Sequence, residues 1–302
     1  MINKRNRFSL SRFISALLLM VLVFCALAFP ALARVRAIVS IMPQKFFLEQ
    51  LSGDLVEVEV MVPPGANPHT YEPRPSQMMA LNEADIYFSI GVEFEKNWVP
   101  RFRQLNKHLV FVDTSQGIEK IPMVTEGNTA EERGNPSPDG CFDPHVWLDP
   151  RLVRKISKTM ADSLSTIEPD HRHKYQQHLE IWEKKLQQLD EQLYQATRPM
   201  QDHPYFLVFH PSWGYFAREY ELRQLAVEHH GSEPGPRSLA ALIDRATKLG
   251  IKTIFVQPQY QGNSARVLAR ALGGRVVKID PLAENWLENL KTLARKLAEV
   301  YY

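Results

Sequence analysis

Three histidines stand where apolar runs give way to turn residues: Asn67-Pro68-His69-Thr70, Asp143-Pro144-His145-Val146-Trp147-Leu148-Asp149-Pro150 and Phe209-His210-Pro211-Ser212. The central segment holds its imidazole between two Asp-Pro pairs. Each proline fixes its own φ and removes a backbone donor, so His145 sits on a stiffened loop just before a helix. A fourth residue, Asp280, precedes Pro281 behind the last β-branched run. Three imidazoles and one carboxylate can complete a four-coordinate site, with the borderline nitrogen and oxygen donors that zinc accepts. Each member also has a plainer reading. His69 can finish a Pro-rich turn, His210 can end a strand, and Asp280 with Pro281 makes an N-cap and N1 pair for a following helix. Spacing alone leaves these alternatives open, because ligands distant in sequence need a fold to bring them together.

The elements that must position these residues alternate in type. Strands are expected at 35–41, 56–62, 85–90 and 109–113, with helices at 44–52, 76–83 and 95–105 between them. The second half repeats the grammar, with strands at 205–209, 223–227, 251–256 and 275–279. Its helices fall at 213–220, 239–249 and 264–272, and a closing helix starts from Pro281. Such alternation argues an α/β fold of two lobes, each a mostly parallel sheet flanked by helices. Open sheets of this kind hold ligands beyond the carboxyl ends of their strands. His69 follows the second strand, His145 lies on the loop leaving the first lobe, His210 ends the first strand of the second lobe, and Asp280 follows the last strand. The metal site is therefore expected in the interlobe cleft.

Between the halves, residues 170–198 contain neither Gly nor Pro. Tyr175, Leu179, Trp182, Leu186, Leu189 and Leu193 recur at the alternating three- and four-residue spacing of one amphipathic helix. At about 1.5 Å per residue it would span roughly 44 Å, long enough to cross both lobes. The expected organisation is 34–169 as the N-terminal lobe, 170–198 as the linker helix and 199–302 as the C-terminal lobe. A coiled-coil dimerisation helix is the weaker rival, since a connector must also bury an apolar stripe and the heptads stop where the second sheet begins.

Residues 1–33 read as a cleavable secretory signal: Lys4, Arg5, Arg7 and Arg12, then an apolar run, then Ala31-Leu32-Ala33. The apolar span is short for a membrane anchor, and Cys25 follows Val23 and Phe24 rather than the small residues of a lipoprotein site. The full chain carries 36 basic and 34 acidic residues, a net charge of +2; without the signal the balance becomes −2, and nothing in it asks for nucleic acid. Cys141 alone survives cleavage, so no internal disulfide is expected. It could join a metal site as a thiolate, but a small loop residue is the favoured reading. Residues 122–140 form an acidic, Gly- and Pro-punctuated surface loop. His229-His230 beside Gly231 is read as exposed polar surface before a second, weaker metal site, and His171, His173 and His178 fall on the linker helix.

With these residues assembled, the chain resembles the metal-binding solute receptors of bacterial ABC transporters, the cluster A-I group of zinc receptors and related manganese receptors. The resemblance covers essentially the whole mature chain. It rests on Pro68-His69-Thr70-Tyr71-Glu72-Pro73, on the segment from Asp143 to Pro150, on Phe209-His210-Pro211-Ser212-Trp213-Gly214-Tyr215-Phe216 and on Asp280-Pro281. It implies two α/β lobes bridged by one long helix, with a metal buried between them. It also implies His69, His145, His210 and Asp280 as ligands. Manganese members usually carry a glutamate where this chain has His210, and nitrogen at that position favours zinc. Zinc is therefore the expected ligand, with manganese or iron as the alternative. Two departures stand out: the loop before His145 is short and lacks histidine, and His229-His230 has no counterpart expected from the family.

The implied activity is capture of the metal in the periplasm and delivery to an inner-membrane ABC permease by a monomer, without chemistry on the ion. A secreted zinc hydrolase is the rival from another class, with Glu72 or Asp143 as base. The chain has no HExxH segment and no Gly-x-Ser-x-Gly elbow to support it. A metal-stabilised adhesin is the second rival; it would unfold on metal removal, whereas a transport receptor stays folded when empty.

Overall fold

A computed structural model describes residues 34–123, 142–228, 233–260 and 264–299. The expected signal 1–33, Cys141, most of the acidic loop and His229-His230 lie outside these residues.

Strand β1 (Val35–Val39), helix α1 (Met42–Ser52), β2 (Val56–Val60), α2 (Pro75–Glu83), β3 (Ile86–Ser89), α3 (Glu93–Leu105) and β4 (Val110–Asp113) build the first lobe. Their sheet has the order β2-β1-β3-β4, and every pairing is parallel. The second lobe contains β5 (Tyr205–Val208), α6 (Gly214–Glu219), β6 (Arg223–Ala226), α7 (Pro236–Lys248), β7 (Thr253–Val256), α8 (Ser264–Ala271) and β8 (Arg275–Lys278). Its order, β6-β5-β7-β8, is again all parallel and repeats the topology of the first lobe. Parallel strands covered on both faces need apolar residues in both directions. In β5, Phe206 and Val208 enter the large core shared with the first lobe, while Leu207 enters the smaller core of the second.

Helix α4 (Pro150–Ile167) and helix α5 (Arg172–Thr197) join the halves. The second Asp-Pro pair starts α4: Pro150 fills the first helical turn and Asp149 Oδ1 accepts from Arg151 N at 2.8 Å and from Leu152 N at 3.4 Å. Helix α5 has no side-chain N-cap. Its specification is the apolar stripe, since Tyr175, Leu179, Trp182, Leu186, Leu189 and Leu193 are all buried, each worth about 1.5–3 kcal/mol relative to exposure. At 26 residues it is about 39 Å long. Of the histidines expected on it, His178 Nδ1 bonds Leu51 O at 2.9 Å and ties the helix to the end of α1.

The closing helix, α9 (Trp286–Ala298), begins later than Pro281. Its N-cap is Asn285, whose side chain accepts from Glu288 N. The Asp280-Pro281 pair therefore makes a turn rather than the helix start expected from its residue types. Helix α9 packs along α5 and sends Trp286 into the first lobe's core, edge-on to Phe47 at 4.9 Å and to Trp182 at 6.2 Å. Trp147 Nε1 donates to Pro281 O at 2.8 Å, and Trp286 Nε1 to Trp147 O at 2.7 Å. These bonds fix the loop after β8 against the loop that carries His145.

Candidate metal centre

All the expected ligands leave the carboxyl ends of strands or the loop between the lobes. The structure brings three of them together: the donor nitrogens of His69, His145 and His210 lie within 4.8 Å of one another. Nε2 of His69 and Nε2 of His210 are 3.2 Å apart. Two zinc–nitrogen bonds of about 2.0–2.1 Å at a tetrahedral angle would separate their nitrogens by about 3.3 Å. The three imidazoles line one cavity with Asn67, Gln259 and Tyr260.

Each ring is held by a carboxylate at its far nitrogen. His69 Nδ1 meets Glu93 Oε2 at 2.8 Å, His145 Nδ1 meets Asp143 Oδ1 at 2.7 Å, and His210 Nδ1 meets Glu228 Oε2 at 2.9 Å. A carboxylate accepts, so this arrangement places the proton on Nδ1 and leaves the Nε2 lone pair free. For His69 and His210 two such lone pairs then face each other, a repulsion that a shared cation removes.

Local structure explains the placement. Asp143 Oδ1 also accepts from His145 N at 2.8 Å, an Asx turn that the first Asp-Pro pair encodes. Asn67 Oδ1 accepts from His69 N at 2.9 Å and does the same for the first loop. Gln257 grips His210 from both sides of its peptide: Gln257 Nε2 donates to His210 O at 2.8 Å, and His210 N donates to Gln257 Oε1 at 3.3 Å. The Tyr260 ring stacks on His210 with centroids 4.9 Å apart and planes 17° from parallel.

Burial sets the charge state. His145 is held well below the usual imidazole range by desolvation, with the His69 charge adding to the effect. Desolvation lowers His210 to about 4 against the opposing bond from Glu228. Both rings are therefore neutral at pH 7 and able to donate to a metal. Burial raises Asp143 to about 7, opposed first by the bond from His145 N.

Asp280 is not in the group of converging donors. Its Oδ1 accepts from Gln259 Nε2 and from Leu282 N, each at 2.9 Å. Its neighbours Pro281 and Leu282 line the cavity, and these bonds tie the carboxylate to its own turn and to Gln259 on the loop after β7. Of the bases named for hydrolysis, Asp143 is committed to His145, and Glu72 is exposed outside the cavity lining. Glu93, Glu228, Gln257 and Tyr260 are the residues that sequence reasoning missed. Each follows the carboxyl end of a strand by a few residues, and that position was the available signal.

The profile of the family described as "Zinc-uptake complex component A periplasmic" matches residues 38–300. The high-affinity zinc uptake system protein ZnuA of Bacillus subtilis (strain 168) is 28% identical over 253 residues, covering 82% of this chain and 79% of that protein. The manganese-binding lipoprotein MntA of Halalkalibacterium halodurans is 28% identical over 213 residues, covering 70% of this chain and 66% of its own. Among solved structures, a 138–173 deletion mutant of ZnuA with zinc bound has a TM-score of 0.81 at 38% identity, covering 89% of this chain and 98% of that one. A match over nearly the whole described chain, together with the two-lobed fold, means that this chain belongs to the family of periplasmic zinc-uptake component A proteins.

Proposed function

We propose that this protein is the extracytoplasmic receptor that captures zinc and hands it to an inner-membrane ABC permease. The observation that carries this reading is the convergence of three imidazoles, each backed by a carboxylate. Three nitrogen donors suit zinc better than a harder, oxygen-preferring ion such as manganese. In this reading His69, His145 and His210 are ligands, and Asp280 is the fourth, reaching the metal by leaving its bond to Gln259. The chain works as a periplasmic monomer after loss of residues 1–33, and binds no nucleic acid. Helix α5, continuous and buried along one face, limits how far the lobes open, so release needs the permease to distort a lobe or a ligand.

The test is a competition titration of zinc and manganese on chelator-stripped mature protein, comparing wild type with His210→Ala and Asp280→Ala. Tight zinc binding by a folded apo form, lost in His210→Ala, supports the receptor. Preference for manganese keeps the transport role and overturns the metal. No tight binding of either ion overturns the three-histidine site, and unchanged affinity in Asp280→Ala removes that residue from the ligand set.

A further inference from the structure

Gln259 stands on the loop after β7 and lines the cavity together with the three imidazoles. Its amide is bonded at one end only. Nε2 donates to Asp280 Oδ1 at 2.9 Å, whereas Oε1 is buried and has no hydrogen-bond partner among the described residues. Turning the amide end for end is no remedy, because Asp280 Oδ1 already accepts from Leu282 N at 2.9 Å and would then face a second oxygen. Gln257, two residues earlier, uses both ends: Nε2 donates to His210 O and Ser212 Oγ, and Oε1 accepts from His210 N. Of the five buried side-chain polar atoms left without a partner among the described residues, only Gln259 Oε1 belongs to a residue lining this cavity.

A buried acceptor with no donor has given up its water for nothing in return. The imidazoles cannot relieve it. Each ring has its Nδ1 against a carboxylate, so the Nε2 atoms are acceptors too. The cavity therefore sets an amide oxygen beside three nitrogen acceptors. A divalent cation satisfies them together, since its charge attracts an oxygen directly and makes a water bound to it a strong donor.

We infer that Gln259 is a further contact of the captured metal, made by Oε1 to the ion itself or to a water that the ion retains. The inference rests on the three-histidine part of the receptor reading and holds whether or not Asp280 coordinates.

The experiment titrates metal-free mature protein with zinc against a competing chelator. Gln259→Met keeps the length of the side chain and removes both amide ends. It is compared in the wild-type and Asp280→Ala backgrounds; in the second the bond to Asp280 is already gone, so the change reports Oε1 alone. Zinc affinity is expected to fall about 10- to 100-fold in both. Gln259→Glu combined with Asp280→Ala returns an oxygen to the same place and is expected to recover the loss. Cobalt(II) in place of zinc separates the two forms of contact by its visible bands. A direct contact shifts the bands between wild type and Gln259→Met at every pH, because an oxygen leaves the metal. A retained water gives bands that change with pH as it loses a proton, at a pH that moves in Gln259→Met.

Circular dichroism of the metal-free variants checks folding. Where Gln259→Met does not fold, Gln259→Glu decides, and cobalt bands unchanged in it overturn the contact. An affinity change confined to the wild-type background assigns Gln259 to Asp280 alone and also overturns it. Unchanged affinity and unchanged bands in both backgrounds do the same, and the receptor stands in each case. Failure of wild-type protein to hold zinc overturns the receptor reading and the contact with it.

Discussion

The Nε2 atoms of His69 and His210 lie 3.2 Å apart although 141 residues separate them in the chain. One leaves the second strand of the first sheet and the other the first strand of the second. Their meeting therefore depends on everything that fixes one lobe against the other: helix α5, the closing helix α9 and the Trp147–Pro281 and Trp286–Trp147 hydrogen bonds. Four further expectations follow from this arrangement.

Helix α5 is core, so shortening its buried face should act on stability before binding. Leu186 is fully buried, and Leu186→Ala is expected to cost about 2–5 kcal/mol. Urea unfolding of the metal-free protein measures this. A change below about 0.5 kcal/mol, the range of an ordinary surface site, would show that the stripe does not carry the helix.

Gly214 opens helix α6 directly against the carboxylate that orients His145. A Cβ there would collide with Asp143 Oδ2 and press on Ile121 and Gln224. Gly214→Ala is expected to destabilise the protein by about 1–3 kcal/mol and to weaken zinc binding as well, since Asp143 must shift. Paired melting curves of metal-free and zinc-saturated protein separate the two effects. Loss of stability with an unchanged zinc-induced increase would mean that Asp143 does not position the ligand.

Carboxylates behind the rings should matter according to their burial. Glu228 has a side chain 3% exposed, whereas the Glu93 side chain is 56% exposed. Loss of a group that orients a metal-bound histidine costs about 10- to 100-fold in affinity. Glu228→Gln is expected at the upper end and Glu93→Gln at the lower, where water can replace the lost acceptor. Chelator competition at pH 7 reads both, and the reverse ranking would contradict the argument.

A pH signature should come from Glu95, which is buried and does not line the cavity of the three imidazoles. Its carboxyl accepts from Ile90 N at 3.0 Å, Gly91 N at 2.8 Å and the Ser40 hydroxyl. Burial outweighs these bonds and raises it from 4.5 to about 7. The folded state then binds a proton that the unfolded chain has already lost, so this contribution is present below pH 4.5 and disappears as pH rises through 7. Its size is on the order of 3 kcal/mol. His210 acts in the opposite sense, losing stability as pH falls from 6.5 toward 4. Subtracting the stability curve of Glu95→Gln from that of wild type isolates the first contribution. A difference that stays flat between pH 4.5 and 7 would show that Glu95 titrates normally.

The local sequence determined the strands and helices, because a period of two residues or of three and four is written in neighbouring side chains. The six apolar residues of α5 were legible in this way, and all six are buried. The Asp-Pro pairs around His145 were equally legible, since an Asx turn and an N-cap are made by residues two or three apart. Asp280-Pro281 carried the same N-cap signal but yielded a turn, because Trp286 is drawn into the core beside Phe47 and the helix starts there. The sequence could name His69, His145, His210 and Asp280 and expect them in one cleft, but not that the three histidines alone converge, nor Glu93, Glu228 and Tyr260 as their supports. Those contacts join residues from separate strands, and their distances depend on how two sheets of identical strand order are set against each other by α5 and α9. Periodicity identifies the face an element buries; only the packed fold decides which face it meets.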